Sequence, residues 1–509
     1  MNQTSVEVVI TLHWRRLTSV VQACQAVTNR YLPETTIPKR NHAPVNCPAT
    51  SFASIAIAKS WLATQLRQLF TSDFKVNNRR RVIRLEAPLT DCSPLEWLSW
   101  QNHPQQIYWS DRQLAFEAAG VGCADYIRCD NGQEYERLLQ SLGRQLDAQS
   151  GQARYYGGIR FNPGAEVDEH WLPYGNCCFI LPQFEVFADA GGASLACNVL
   201  LDAGEHPGQK LRFLLKALEQ IRMEQPLEES GGATACLGRR DTPDRAEWLR
   251  KVEAALAILQ TGKLAKVVLS RSTTLAFAQP PNPLFLLKRL KEIEPFAYHF
   301  YVQPARGHAF LGATPERLFK RQRNLIHSEA LAGTCARGAT PAEDAALGAA
   351  LLSSEKEYHE HRIVLDDIKA ILERHCRCLE ISETPQLMKQ SKVQHIYSLL
   401  EGRLLDTVAD VELLRLLHPT PAVGGLPRDK ALREIAALEP FDRGWFAGPV
   451  GWIGHDATEF AVGIRSAIVH DRSLRLFAGA GIVGGSVPEL EWQEIETKIS
   501  VFMDALGIQ

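Results

Sequence analysis

Apolar and polar positions along this chain follow two periods, and each change of period marks an element. Apolar residues recur every three to four positions in LRFLLKALEQI (211–221), AEWLRKVEAALAILQTGK (246–263), SEKEYHEHRIVLDDIKAILERH (354–375) and LEWQEIETKISVFMDAL (490–506). This spacing predicts helices, the second of them stopped by Gly262. Alternation, or short apolar runs between turn residues, predicts strands at QARYYGGIRF, NCCFILPQFEVFA, ASLACNVLL, AKVVLSRST, YHFYVQ, HAFLGA, FAVGIRSAIV and LRLFAGAG. Together they make an α+β pattern closed by a helix, with no internal repeat and no low-complexity tract.

Length bears on how these elements divide. The chain has 509 residues, more than the roughly 100 to 200 of one domain. Pro and Gly gather with polar residues near 33–48, 187–193, 225–242 and 278–283. The third cluster is the expected main boundary, separating an N-terminal α+β region (1–235) from a C-terminal catalytic core (236–509). Formal charge is −2, with 45% hydrophobic and 22% charged residues, which gives no electrostatic reason to expect nucleic acid or an anionic membrane. The opening MNQTSVEVVITLHWRR has only a short apolar run, includes Glu7 and lacks a small-residue cleavage site. No stretch approaches the roughly 20 apolar residues of a membrane helix. A cytoplasmic protein without a signal peptide is expected. In that compartment the 12 cysteines read as buried thiols, since the close groups Cys177-Cys178 and Cys376-Arg-Cys378 lack a repeated zinc spacing.

Helical projection raises the first chemical question. At about 100° per residue, Glu357 and Glu360 share a face with Val364, Ile368 and Ile371, and Glu491, Glu494 and Lys498 align with Ile495, Phe502 and Ala505. Carboxylates on the apolar side of a helix demand cations. Lys498, one turn beyond Glu494, could neutralise one. For the rest, a donor set of carboxylates alone favours a hard divalent ion such as Mg²⁺. Solvated acids at helix mouths are the alternative, and projection leaves both open. His359-Glu360-His361 is a poor zinc motif, because metalloprotease histidines stand four residues apart.

Four further features carry candidate chemistry. Gly479, Gly481 and Gly484 match GxGxxG, yet Pro488 follows and no second βα unit can be completed before Gln509, so close backbone approach to an anionic ligand replaces dinucleotide binding. A tight turn is the rival. Lys266 opens a strand on the face of Val268 and Ser270, either as an exposed edge residue or as a desolvated general base. Glu316 follows Pro315 after an apolar strand, either projecting into a cleft or starting an exposed helix. Arg465 lies in FAVGIRSA, on the face opposite Val462 and Ile464 among small neighbours, where its fork could hold a carboxylate or a structural acid.

KVVLSR, LGATPERLF, ALAGTCARG, SEKEYHEH and FAGAGIVGGSVPELEWQEIETKI together resemble the chorismate-utilising enzymes, and HPTPAVGGLPRDKAL with EPFDRGWFAGPVG strengthens the match over about residues 245–509. Within that family the isochorismate synthase branch is most similar, with YYGGIRFNP and AFEAAGVGCADY extending the likeness upstream. The resemblance implies large antiparallel sheets packed together, flanking helices and a deep cleft. It implies Lys266 as general base and Glu316 as general acid. Glu360 and Glu494 become the principal Mg²⁺ ligands, with Glu357 and Glu491 close by. Gly333, Thr334, Arg465, Gly479, Gly481 and Lys498 would hold the substrate, chorismate or isochorismate, and Val423 falls where substrate contact is expected. Anthranilate synthases commonly lack the lysine at position 266, and aminodeoxychorismate synthases carry lysine in place of Ala332, so water is the expected nucleophile. Salicylate synthase is the nearest alternative. No glutamine amidotransferase half is recognisable, and a monomer is expected.

Overall fold

The computed structural model describes residues 54–508 apart from 72–79, 91, most of 131–149, 203 and 225–233. The cluster at 33–48, residues 225–233, Cys24 and Cys47 lie outside the described residues. The fold is α+β, built on two large sheets in which every strand pairing is antiparallel. Among the described residues the first sheet runs Arg81–Leu89, Gly192–Leu201, Phe184–Asp189, Phe116–Val121, Gln106–Ser110, Tyr298–Ala305, His308–Thr314, Ser466–His470, Ser473–Ile482, Lys266–Phe277 and Gly425–Leu426. Cys236–Thr242, expected as linker, is a further strand on Lys266–Phe277. The second sheet runs Cys376–Ile381, Val393–Leu404, Leu325–Ala336, Arg317–Gln322, Ala457–Val462, Pro449–Gly454, Arg154–Ile159, Cys177–Leu181 and Asp125–Cys129, with Gln386–Lys389 added on Val393–Leu404. One hydrophobic core holds side chains of both sheets. Polar links cross it where partners exist: Tyr156 donates to Glu185 at 2.6 Å, and Tyr298 to Glu459 at 3.1 Å.

Strand order shows a relation that the sequence hides. In each half the chain starts in the first sheet, turns a corner into the second, and returns: at Val121 to Asp125 and Leu181 to Phe184, then at Thr314 to Arg317 and Val462 to Ser466. Read outward from the central pairings of Gln106–Ser110 with Tyr298–Ala305 and of Arg154–Ile159 with Pro449–Gly454, the counterparts follow in the same order on both sides. The two halves on either side of residue 235 therefore join by continuous sheet.

These corners correct two predicted strands. NCCFILPQFEVFA breaks at Pro182-Gln183, and FAVGIRSAIV breaks at Gly463-Ile464-Arg465, each piece belonging to a different sheet. Proline offers no N–H to a ladder, and Arg465 adopts a positive φ of 47°, so alternation cannot be carried through either break.

The helices Glu355–His375 and Pro488–Leu506 pack on Leu325–Ala336 and Ser473–Ile482 respectively. Val364, Ile368, Ile495, Phe502 and Ala505 are buried as their faces predicted, while Ile371 is half-buried. Among the described cysteines, Cys129, Cys177, Cys178 and Cys197 are buried and Cys378 is exposed.

Candidate active site

The two corners of the C-terminal half lie side by side. Val462 N–H donates to the Glu316 carbonyl at 3.0 Å, Thr314 Oγ1 donates to the Val462 carbonyl at 2.7 Å, and Ala313 N–H donates to the Arg465 carbonyl at 3.1 Å. Both corners face a cavity, into which Glu316, Ile464 and Arg465 project. Neighbouring residues 464 and 465 share this wall because the chain is turning there, which overturns the expectation that they occupy opposite faces of a strand. Glu316 is 3% exposed and starts no helix. Burial, reinforced by the charge of Glu329 and opposed by Lys266 and Lys498, raises its carboxyl to about 8.

The Lys266–Phe277 strand forms another wall. Val268 pairs with Gly481 and Ser270 with Gly479, and all four line the cavity. Lys266, on the face shared by Val268 and Ser270, is fully buried and no edge residue. Its Nζ lies 2.7 Å from Glu360 Oε1. Gly481 makes this contact possible: a Cβ there would stand 2.3 Å from Glu360 Oε1 and 2.8 Å from Lys266 Cε. Gly479 and Gly481 thus serve close packing in a strand, and Gly484 sits beyond it with open space around its Cα.

All four predicted glutamates sit in the first two turns of their helices, where the positive end of the macrodipole favours them. Ser354 caps the first helix by accepting from Glu357 N–H. A bulge at Gly333, with φ of 77°, shifts the register between Ala332 and Thr334 and frees Thr334 N–H to donate to Glu357 Oε2 at 3.0 Å. Glu494 Oε1 meets Lys498 Nζ at 2.6 Å, and the same ammonium donates to the Gly479 carbonyl. Lys356 Nζ lies 3.3 Å from both Glu357 and Glu491.

Electrostatics ranks the four acids. Burial and then Glu360 raise Glu357, and burial and then Glu494 raise Glu491 to about 7. For Glu360 burial acts upward, but Lys266, Lys498 and Lys356 together outweigh it and the carboxyl falls below its usual range. Glu360 and Glu494 line the cavity, whereas Glu357 and Glu491 lie outside its wall, bridged by Lys356. Among the described residues no three acidic, histidine or cysteine side chains converge on one point as a complete metal cage would.

Opposite the helices, Arg465 Nη2 donates to His395 Nε2 at 3.0 Å, and His395 Nδ1 contacts Thr334 Oγ1 at 3.0 Å. Because arginine is only a donor, Nε2 must accept and Nδ1 carries the proton, which leaves the Thr334 hydroxyl proton free for a ligand. Burial, with Arg465 and Lys498 adding to it, holds His395 well below its usual range and therefore neutral. Arg465 Nη1 and Ser270 Oγ are buried without a hydrogen-bond acceptor, and a buried orphan donor is costly unless a ligand completes it.

Three contributors escaped the sequence reading. His395 faces Thr334 across a strand pair, and Arg443 with Glu439 ties Val268, Ser270 and Val423 together through hydrogen bonds of 2.5–2.9 Å. Only contacts between segments distant in the chain reveal them. Val423 does line the cavity. His361 is buried against Ser398 Oγ and His359 is exposed, so neither approaches a metal-ligand role.

Residues 65–507 match the family described as chorismate binding enzyme. The chain belongs to the chorismate-binding enzyme family. It is 33% identical to the chloroplastic isochorismate synthase of Catharanthus roseus over 89% of this chain and 79% of that protein. To isochorismate synthase MenF of Escherichia coli it is 34% identical, over 82% of this chain and 92% of that protein. The solved structure of the menaquinone-specific isochorismate synthase MenF from Escherichia coli superposes with a TM-score of 0.78 at 31% identity, covering 89% of this chain and 99% of the other. Anthranilate synthase component I from Streptococcus pneumoniae, at 21% identity and a TM-score of 0.61, shares the fold.

Proposed function

We propose that this member of the chorismate-binding enzymes is an isochorismate synthase, which moves a hydroxyl from C4 of chorismate to C2 by adding one water and expelling another. The observation that carries this reading is Glu316: a carboxyl held protonated to about pH 8 by burial and facing a cavity that also presents Arg465, Lys498 and the backbone of Gly333. Lys266 is the base that takes a proton from the water that attacks C2. Glu316 gives its proton to the departing C4 hydroxyl, and the ring double bonds shift between the two carbons. Acid and base work on opposite sides of one electron movement, so no oxidant or second substrate is needed. Arg465, oriented by His395, and Thr334 receive one substrate carboxylate, with Lys498 and the Gly479 and Gly481 strand beside the other.

Glu360 and Glu494 would hold Mg²⁺, and Glu357 and Glu491, bridged by Lys356, would support them from outside the cavity. Mg²⁺, when bound, supplies the positive charge that lets a dianionic substrate rest against glutamates. The reaction calls for no amidotransferase partner, and we expect a cytoplasmic monomer. Similarity to menaquinone-specific MenF favours supply of quinone synthesis.

Product identification tests this. Purified protein given chorismate and Mg²⁺ should form isochorismate by chromatography, EDTA should stop it, and Lys266→Ala should stop it while substrate binding persists. Salicylate with pyruvate as the main products would transfer the assignment to salicylate synthase.

A further inference from the structure

The proposed acid stands on a segment whose supports come from the other half of the chain. Arg112 lies in the hairpin turn between Gln106–Ser110 and Phe116–Val121. Its two terminal nitrogens each donate to one oxygen of Glu329 at 2.8 Å, and Nη1 also donates to the Pro315 carbonyl at 2.6 Å. Glu329 Oε1 in turn accepts the Arg317 N–H at 2.7 Å. One bidentate pair therefore grips the backbone on both sides of Glu316. The Glu329 side chain is fully buried and that of Arg112 is 11% exposed, with Tyr298 and Tyr397 rings flanking the guanidinium. Neither group touches the cavity.

We infer that Arg112 and Glu329 are positioning residues for the reaction: the pair fixes the direction of the Glu316 carboxyl and places a buried negative charge behind it. The inference rests on the reading of Glu316 as the acid. Two requirements of such an acid are met by this one device. Geometry is set because the Pro315 carbonyl and Arg317 N–H are both occupied, and a bidentate arginine resists rotation. Proton retention follows because Glu329 disfavours a second anion nearby. The other charges facing Glu316 are Lys266 and Lys498, which act the opposite way. Arg465, Glu360 and Glu494 stand elsewhere on the cavity wall, and Arg317 and Glu459 lie behind, 3.5 Å apart.

The test compares Arg112→Met, Arg112→Lys, Glu329→Gln, the double variant Arg112→Met/Glu329→Gln and Glu316→Gln, each with kcat, KM and a pH profile for chorismate turnover. Activity of a protonated acid falls as pH rises through its pKa, so the basic limb reports Glu316. Glu329→Gln removes the like charge and should move that limb down by about one pH unit. Arg112→Met should lower kcat about tenfold or more with KM changed less than about twofold, and Arg112→Lys should restore part of the loss. The double variant, which leaves no unpaired buried charge, should match the single variants instead of multiplying their effects, and it decides the matter if Arg112→Met does not fold by circular dichroism. Unchanged kcat and basic limb in Glu329→Gln and the double variant, with Glu316→Gln inactive, would overturn the inference and leave the acid assignment standing. Glu316→Gln that retains turnover and the basic limb would remove the acid assignment itself.

Discussion

Replacing Gly481 by alanine puts one methyl group between the two side chains on which the chemistry is proposed to depend. Its Cβ would stand 2.3 Å from Glu360 Oε1, 2.8 Å from Lys266 Cε and 3.2 Å from Lys266 Nζ, whereas ordinary contact begins at 3.4 Å. Glu360 must therefore retreat by about 1 Å, and it cannot do so without loosening its ion pair with Lys266. A displacement of that size at a reacting centre costs about a hundredfold in turnover, and the overpacking costs about 1–3 kcal/mol of stability. The same strand supplies internal controls. At Gly479 the nearest atom is the Ser270 hydroxyl at 2.9 Å, which can rotate, with the Leu269 carbonyl next at 3.1 Å, so Gly479→Ala should cost about tenfold, less than Gly481→Ala. Around Gly484 nothing lies within 4 Å, and Gly484→Ala should be within about twofold of the parent. The assay is the rate of isochorismate formation across a Mg²⁺ titration, with urea midpoints measured beside it. Wild-type turnover and an unchanged Mg²⁺ midpoint in Gly481→Ala would refute the claim that this glycine exists to seat Glu360 against Lys266.

Three other outcomes are expected. Turnover should decline as pH rises through about 8, the value to which burial lifts Glu316; because the folded state holds that proton above the usual 4.5, the same group also lowers stability as pH climbs from 4.5 to 8, measurable as a falling urea midpoint in the parent and a flatter profile in Glu316→Gln. Mg²⁺ with chorismate should raise the melting temperature of the parent, by about 2.7 kcal/mol of stabilisation at a hundred times the dissociation constant, and Glu494→Ala should lose most of that gain by differential scanning fluorimetry. Glu185→Ala should cost about 1–3 kcal/mol in chemical denaturation, since it takes one of two carboxylates from the buried Arg84 guanidinium, which keeps Glu86, and removes the acceptor of Tyr156.

Periodicity made the two helices legible because a buried face leaves its mark every three to four residues, and it set Glu357, Glu360, Glu491 and Glu494 on that face while leaving solvated helix mouths as open an explanation as a cation. It also brought Lys266 onto the side of Val268 and Ser270, which the strand register repeats. What it could not convey was direction after a break. Arg465 looked like one more residue in an alternating strand, yet the strand ends at Val462 and resumes at Ser466 in the other sheet. His395, Arg443 and Arg112 escaped for a related reason: each owes its place to a partner 20 to 217 residues away, and no local pattern encodes such a pairing. The likeness between the halves was equally silent, because strand order can persist where residue identities do not.

That likeness bears on how the molecule comes into being on the ribosome. Thr314 and Val462, hydrogen-bonded at the heart of the cleft, are 148 residues apart, and the last helix, bearing Glu491, Glu494 and Lys498, ends at Leu506. A nascent chain can close the first half's sheets early, but it owns no substrate cleft until its final helix has emerged. Contacts of such long separation fold slowly, so for most of its synthesis the chain presents open sheet edges at Gln106–Ser110 and Arg154–Ile159, the two strands on which the second half must later dock. Those edges are where misassembly would begin and where a chaperone would have most to protect.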